Sequence, residues 1–149
     1  MQASELKKLY ERDMDRLATE LESYSNEELL WIKVDGINNS AGNLFMHLCG
    51  NLQHFVGTIL MNSGYERRRD FEFDGTMSLD EIKADVDRTK QVVVEYLSDA
   101  DEQSFQSSYP LTPFGYPMSV GYFLIHLHGH LNYHLGQINY HRRILSKTS

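Results

Sequence analysis

The chain has 149 residues, 41% of them hydrophobic and 23% charged, with a formal net charge of −7. That length can bury a core without staples, and the composition is that of a soluble folded domain rather than a disordered chain. The acidic balance argues against nucleic acid, because the one dense basic cluster, Arg67-Arg68-Arg69, is flanked by Glu66 and Asp70 and offers no stripe for phosphates.

No apolar run approaches the ~18 residues of a membrane span, and the opening residues do not read as a signal peptide. The lone cysteine, Cys49, rules out an internal disulfide and reads as a small core hydrophobe. The expectation is one cytoplasmic domain over residues 1–149, with no membrane partner.

Taken in order, Ala3 to Tyr24 reads as a first helix, with Leu6, Leu9, Tyr10, Leu17 and Leu21 at nearly helical spacing and Asp13 interrupting the apolar series. Ser25 and Glu28 form a capping-box pattern that opens a short helix through Leu29 and Trp31. Gly36 to Asn39 is turn chemistry. A second long helix is expected from Ser40 to Met61, on a stripe of Leu44, Leu48, Leu52, Phe55, Val56 and Ile59, stopped at Gly64. His47 and His54 stand on the border of that stripe.

Residues 65–77 read as an irregular connection. Ser78 and Glu81 make a second capping box, opening a helix with Ile82, Val86, Val93, Tyr96 and Leu97 inward and closing at residues 98–101. Residues 105–118 hold all three prolines, Pro110, Pro113 and Pro117, which forbid helix, so a short hairpin or an ordered loop is expected. The last helix follows from Ser119 to Leu145. The fold class is therefore all-α, a four-helix bundle, with connections 62–77 and 99–118 long enough to cross over an end.

The chemical signal lies in the last helix. His126, His130, His134 and His141 fall within an arc of roughly 80° at 100° per residue, beside the apolar stripe, while His128 falls on the far side and reads as a surface residue. His130 and His134, four apart, have the spacing that lets two imidazoles reach one metal ion. His47 holds the same relation to its own stripe and makes a sensible third ligand. Three neutral imidazoles leave open coordination positions and suit Zn²⁺, with Ni²⁺ or Fe²⁺ as alternatives. Gln137, one turn beyond His134, is placed to orient a ligand or a bound water.

His126 is placed either to substitute as a ligand or to line a pocket. Asn43 and Asn51 flank His47 by one turn and are candidates to hold a ligand's second nitrogen. Asp13 is a candidate for the same role, with a salt bridge to a bundle arginine as its alternative. Tyr109, Phe114 and Tyr116 either wall a substrate pocket or cap the core. His54 and His141 lie further along and are expected to make hydrogen bonds or reach solvent.

The segment N-S-A-G-N-L-F-M-H-L-C-G-N (39–51) and the late H-L-N-Y-H-L-G-Q (130–137) resemble the DinB/YfiT-like superfamily of four-helix-bundle metalloenzymes. Asn39-Ser40, Gly50-Asn51 and the run Arg69-Asp70-Phe71-Glu72-Phe73 further resemble a branch of it with no assigned activity. The resemblance implies a divalent metal on His47, His130 and His134. It also implies chemistry of thiol-transferase type, in which metal activates a low-molecular-weight thiol, such as bacillithiol or mycothiol, toward a small electrophile. One departure is Leu135, where the family often has arginine. Hydrolysis through metal-bound hydroxide is the neighbouring chemistry. The reading from a different class is a non-catalytic metal-binding bundle with a structural, regulatory or dimerisation role. A homodimer through a helix face is expected from the resemblance and from surface aromatics.

Overall fold

The computed structural model describes residues 2–146. Helix α1 spans Ala3–Glu22 and buries Leu6, Tyr10, Met14, Leu17 and Leu21, the apolar series that its spacing predicts. A single 3-10 turn, Glu27–Trp31, follows. Its cap is Asn26, not the expected Ser25: the Asn26 side-chain oxygen Oδ1 accepts from Glu28 N–H at 2.9 Å. Starting one residue later satisfies an orphan donor with a side chain that favours the cap position.

Helix α2 spans Ala41–Leu52, capped by Ser40, whose hydroxyl accepts from Asn43 N–H. It continues through a π-helical turn, Gln53–Thr58, into a last turn α3, Ile59–Met61. The helix ends at Met61, as expected, but its stop is Asn62, left-handed at φ 52°, and not Gly64; Asn tolerates that region better than most side chains.

All twelve residues of α2 are buried, the polar ones included. The reason lies in residues 65–77, where the sequence reading expected only a connection. Arg69–Asp74 folds as α4 and packs over α2, and the Asn43 amide donates to the Glu72 carbonyl at 3.0 Å. A six-residue charged helix has too few turns to show a period, and tertiary contact holds it.

Helix α5, Leu79–Asp99, opens on the predicted capping box, with Ser78 and Glu81 each accepting from the other's backbone N–H. A short α6, Glu102–Gln106, capped by Asp101, was not expected. The proline loop forms a single antiparallel bridge between Ser108 and Ser119 rather than a hairpin, with Tyr109 N–H donating to the Met118 carbonyl at 2.9 Å. Helix α7 spans Val120–Ser146.

In the bundle, α1 packs on α5 and α7, and α2 packs on the same two helices. The pairs α1/α2 and α5/α7 are thus diagonal, and the crossing connections are 23–40 and 100–119. The expectation that 62–77 crosses over is corrected: it joins the adjacent α2 and α5, and its length goes into α4. Among the described residues no helix is long and apolar enough to cross a membrane.

Asp13 takes the salt-bridge alternative. Its carboxylate is fully buried and accepts from Arg12 at 2.8 Å, Arg16 at 3.2 Å, Asn132 at 3.0 Å and His128 Nε2 at 2.7 Å. His128, expected on the surface, therefore faces α1. The far side of α7 is covered by α1, a fact of bundle order that one helix's period does not contain.

Burial alone would raise the Asp13 pKa, but the hydrogen bonds from Arg12, Asn132 and His128 outweigh it and lower it to about 2. A depressed carboxyl contributes stability above its unfolded pKa near 3.9 that is lost as pH falls through about 2. The stability gap between wild type and Asp13→Asn, measured by urea unfolding, should shrink by about 2 kcal/mol between pH 5 and pH 2. A gap that stays constant with pH would refute the assignment.

Candidate metal centre

His47 comes from the middle of α2, and His130 and His134 from successive turns of α7. Because α2 and α7 are neighbours, the three rings meet between them. His47 Nε2 stands 3.2 Å from His130 Nε2, and His134 Nε2 stands 3.1 Å from the same atom. The three ligating nitrogens all lie within 4.8 Å of one another.

The hydrogens around the rings can be placed by elimination. His47 Nδ1 is 3.1 Å from a Glu72 carboxylate oxygen. An ionised carboxylate only accepts, so Nδ1 carries the hydrogen and Nε2 presents a lone pair. His134 Nδ1 is 2.7 Å from the Gln137 carbonyl oxygen, with the same consequence. Two lone pairs thus point at His130 Nε2, which can donate a hydrogen to only one of them. His130 Nδ1, on the other side of the ring, is buried without any partner.

With the three rings neutral, no proton arrangement satisfies all three facing Nε2 atoms, whereas one cation between them would answer all three. Two imidazoles on a tetrahedral ion at 2.0–2.1 Å would stand about 3.3 Å apart, close to the observed contacts. The donor set fits a divalent metal.

Burial and neighbouring charge favour the neutral form of the two α7 rings. Burial, then the nearby His134, His47, His126 and Arg67, lower the His130 pKa to about 4. Burial also lowers that of His134, although its bond to Gln137 works the other way. Neutral imidazole is the form that binds metal. Burial would raise the Glu72 carboxyl, but hydrogen bonds from His47 and Arg67 hold it below the usual range. Arg67 grips Glu72 with two bonds, Nε at 2.8 Å and Nη2 at 2.9 Å, and Phe73 lies against the His47 ring at 4.9 Å.

Glu72 and Arg67 are the residues that sequence reasoning missed. Glu72 sits inside the run Arg69 to Phe73 that carries part of the family resemblance, yet it has no metal-binding spacing to His47. Gly50 makes room for it: a methyl group there would collide with the Glu72 carboxylate. Gly50→Ala should push Glu72 off His47 and weaken metal affinity by about 10-fold or more, read by competition against a zinc indicator; unchanged affinity would refute that role.

The remaining candidates separate. Gln137 holds His134 directly. Asn43 fastens the α4 backbone instead of a histidine, and the Asn51 side-chain oxygen is buried without a partner. Asp13 belongs to the α1–α7 cluster and makes no bond to the three histidines. Tyr109 is buried, its hydroxyl donating to the Phe55 carbonyl at 2.6 Å and its ring on Phe123, so it caps the core. Phe114 and Tyr116 are exposed; Phe114 stacks edge-on against His126 at 4.6 Å, one turn before His130. His141 bonds the Tyr24 hydroxyl and the Ile32 carbonyl, both at 2.7 Å. His54 rests against Phe55, and Leu135 is buried in the core.

A family model described as the DinB superfamily matches residues 9–138, a span that includes all three histidines. The fold is similar to that of a solved DinB-like protein from Bacillus cereus, with a TM-score of 0.70 at 20% identity over 90% of this chain and 86% of that one. No curated protein matches.

Proposed function

Because this chain belongs to the DinB superfamily, whose members generally bind metal, we propose that it is a divalent-metal-dependent enzyme of thiol-transferase type. His47, His130 and His134 hold the ion, Zn²⁺ by preference. The observation that carries this reading is the trio of Nε2 atoms turned on one point, with Nδ1 of His47 and His134 pinned from behind. An ion held by these three histidines would supply Lewis acidity, the chemistry that lowers the pKa of a thiol or water and so favours its nucleophilic form.

The chain's own residues do the rest. Glu72 and Gln137 keep the imidazoles in the ligating tautomer and orientation, the supporting role that such centres require. Arg67 neutralises Glu72, so the buried carboxylate adds little net charge. Phe73 screens His47 from water, and Phe114 with His126 borders the next turn of α7, where a small electrophile can approach. In the net reaction the thiol sulfur forms a bond to the electrophilic carbon, the leaving group departs with its electron pair, and the thiol proton passes to solvent.

Two measurements test this. Elemental analysis of untagged protein should find close to one divalent ion per chain. A panel of small thiols with a small electrophile should show turnover that chelation abolishes and metal restores. Metal at unit stoichiometry with a raised melting temperature, but no turnover with any thiol or by hydrolysis, would replace the enzyme by the non-catalytic metal-binding bundle.

A further inference from the structure

A groove of about 650 Å³ lies between residues 34–39 and the second half of α7, a size that suits a small molecule. Ile37, Tyr133, Tyr140 and Ile144 form its apolar walls, and each is 49–67% exposed. Leu44, buried and one turn before His47, lies at its inner side. Among the described residues no Asp, Glu, Lys or Arg lines it, in a chain of net charge −7.

The groove is built before anything enters it. His141 Nε2 stands 2.7 Å from the Ile32 carbonyl, so it donates there, and Nδ1 accepts from the Tyr24 hydroxyl at 2.7 Å. That buried ring ties the start of the loop to α7. The loop then turns, with Ile37 N–H donating to the Val34 carbonyl at 2.9 Å and Gly36 at φ 82°. A turn of this kind needs a left-handed residue at that position.

One polar group in the groove is only half used. Gln137 Oε1 accepts from His134 Nδ1 at 2.7 Å, while its two amide hydrogens find no acceptor among the described residues. Tyr133 stands edge-on to the His134 ring at 5.2 Å. The groove therefore borders the Nδ1 side of His134, and the metal centre its Nε2 side.

We propose that this groove binds an uncharged aromatic molecule carrying a carbonyl or similar acceptor, which takes a hydrogen bond from the Gln137 amide and so acts on the metal centre through His134. The lining selects the charge, because an ionised group would lose water there and meet no counter-charge. Arg143 lies over the Tyr140 ring at 5.7 Å but outside the lining. The two tyrosine rings match an aromatic body. Gln137 sets the acceptor, since its oxygen is committed to His134 and only its N–H groups remain.

Accepting from those N–H groups polarises the amide and strengthens its oxygen as the partner of His134 Nδ1. The imidazole becomes a better ligand, so occupant and ion favour each other reciprocally. This coupling rests on the metal reading; the affinity of the groove itself does not.

The probe is 6-propionyl-2-dimethylaminonaphthalene, a neutral naphthyl ketone whose emission shifts to blue when it leaves water. The full chain, stripped of metal by chelation, should bind it at one site with a micromolar dissociation constant. 2-Acetylnaphthalene should displace it about 10-fold better than 2-ethylnaphthalene, which lacks the acceptor, or 2-naphthoate, which is charged. Ile37→Asp should weaken probe binding by about 10-fold with an unchanged helical spectrum. Gln137→Leu should erase the preference for the ketone over ethylnaphthalene. Zinc-loaded protein should bind the ketone about 5-fold more tightly than stripped protein.

Equal displacement by all three naphthalenes, or a ketone preference that survives Gln137→Leu, overturns the proposal. So does probe binding that weakens as the protein is concentrated, which would mean that a second copy fills the groove. Equal affinity with and without bound zinc overturns the link through His134. A chain that takes up no zinc overturns the metal reading and that link together, while ketone selectivity, read on stripped protein, stands or falls by itself.

Discussion

Replacing His130 with alanine is expected to empty the metal centre. His130 is the nitrogen that both other histidines approach, at 3.2 and 3.1 Å, so its loss leaves two ligands that no longer share an apex. Affinity for a divalent ion should fall by roughly 10³-fold, about 4 kcal/mol, as one of three protein ligands is removed. The measurement is metal content after dialysis against a weak chelator, close to one ion per chain in the wild type and near zero in the variant.

The same substitution should leave the metal-free protein folded and as stable as before, because His130 Nδ1 is a buried atom without a partner. The sign of its titration agrees. With a folded pKa of about 4 against ~6.5 unfolded, the unfolded state binds more protons between those values, so His130 costs stability as pH falls from ~6.5 toward 4. His130→Ala should flatten that acid slope. A variant that keeps its metal, or that unfolds at neutral pH without it, would contradict the assignment.

Removing Glu72 should have the largest effect on stability. Its side chain is 5% exposed and sits between His47 and the two-bond grip of Arg67, whose own side chain is 12% exposed. Glu72→Ala leaves the guanidinium nearly buried without its counter-charge, a situation that costs about 3–5 kcal/mol. It also frees His47 to turn, which should lower metal affinity 10–100-fold.

Two companion variants separate the effects. Glu72→Gln retains an acceptor for His47 Nδ1 and should spare most of the affinity while losing the ion pair. The double change Glu72→Ala with Arg67→Ala should recover part of the stability but none of the affinity. Urea unfolding read beside chelator competition checks both. Equal affinity in all three proteins would remove Glu72 from the support of the metal centre.

The long helices were legible because each has enough turns to display its period, and the Ser78–Glu81 box marked the start of α5 to the residue. Where the elements are short the pattern is mute: α4 and α6 were missed, and the 3-10 cap shifted from Ser25 to Asn26. The three histidines were legible because four-residue spacing on one helix and stripe-border placement on another are properties of the chain alone. Their supporting groups were only half so. Gln137 shares a helix with His134 and could be placed, whereas Glu72 reaches His47 across a fold of the chain that no spacing announces.

What the sequence by itself determined, then, is periodic: the helices, their apolar stripes, and the residues that share a face with a chemically active one. The tertiary structure alone decided what each face meets. It laid α1 and α2 on a diagonal, which turned His128 from a surface residue into a partner of Asp13. It folded α4 over α2, which gave His47 its carboxylate, and it left one apolar face of α7 without a cover. A helical period reports angles about one axis. Distances between axes depend on how several helices share a single core, and no window along the chain contains that information.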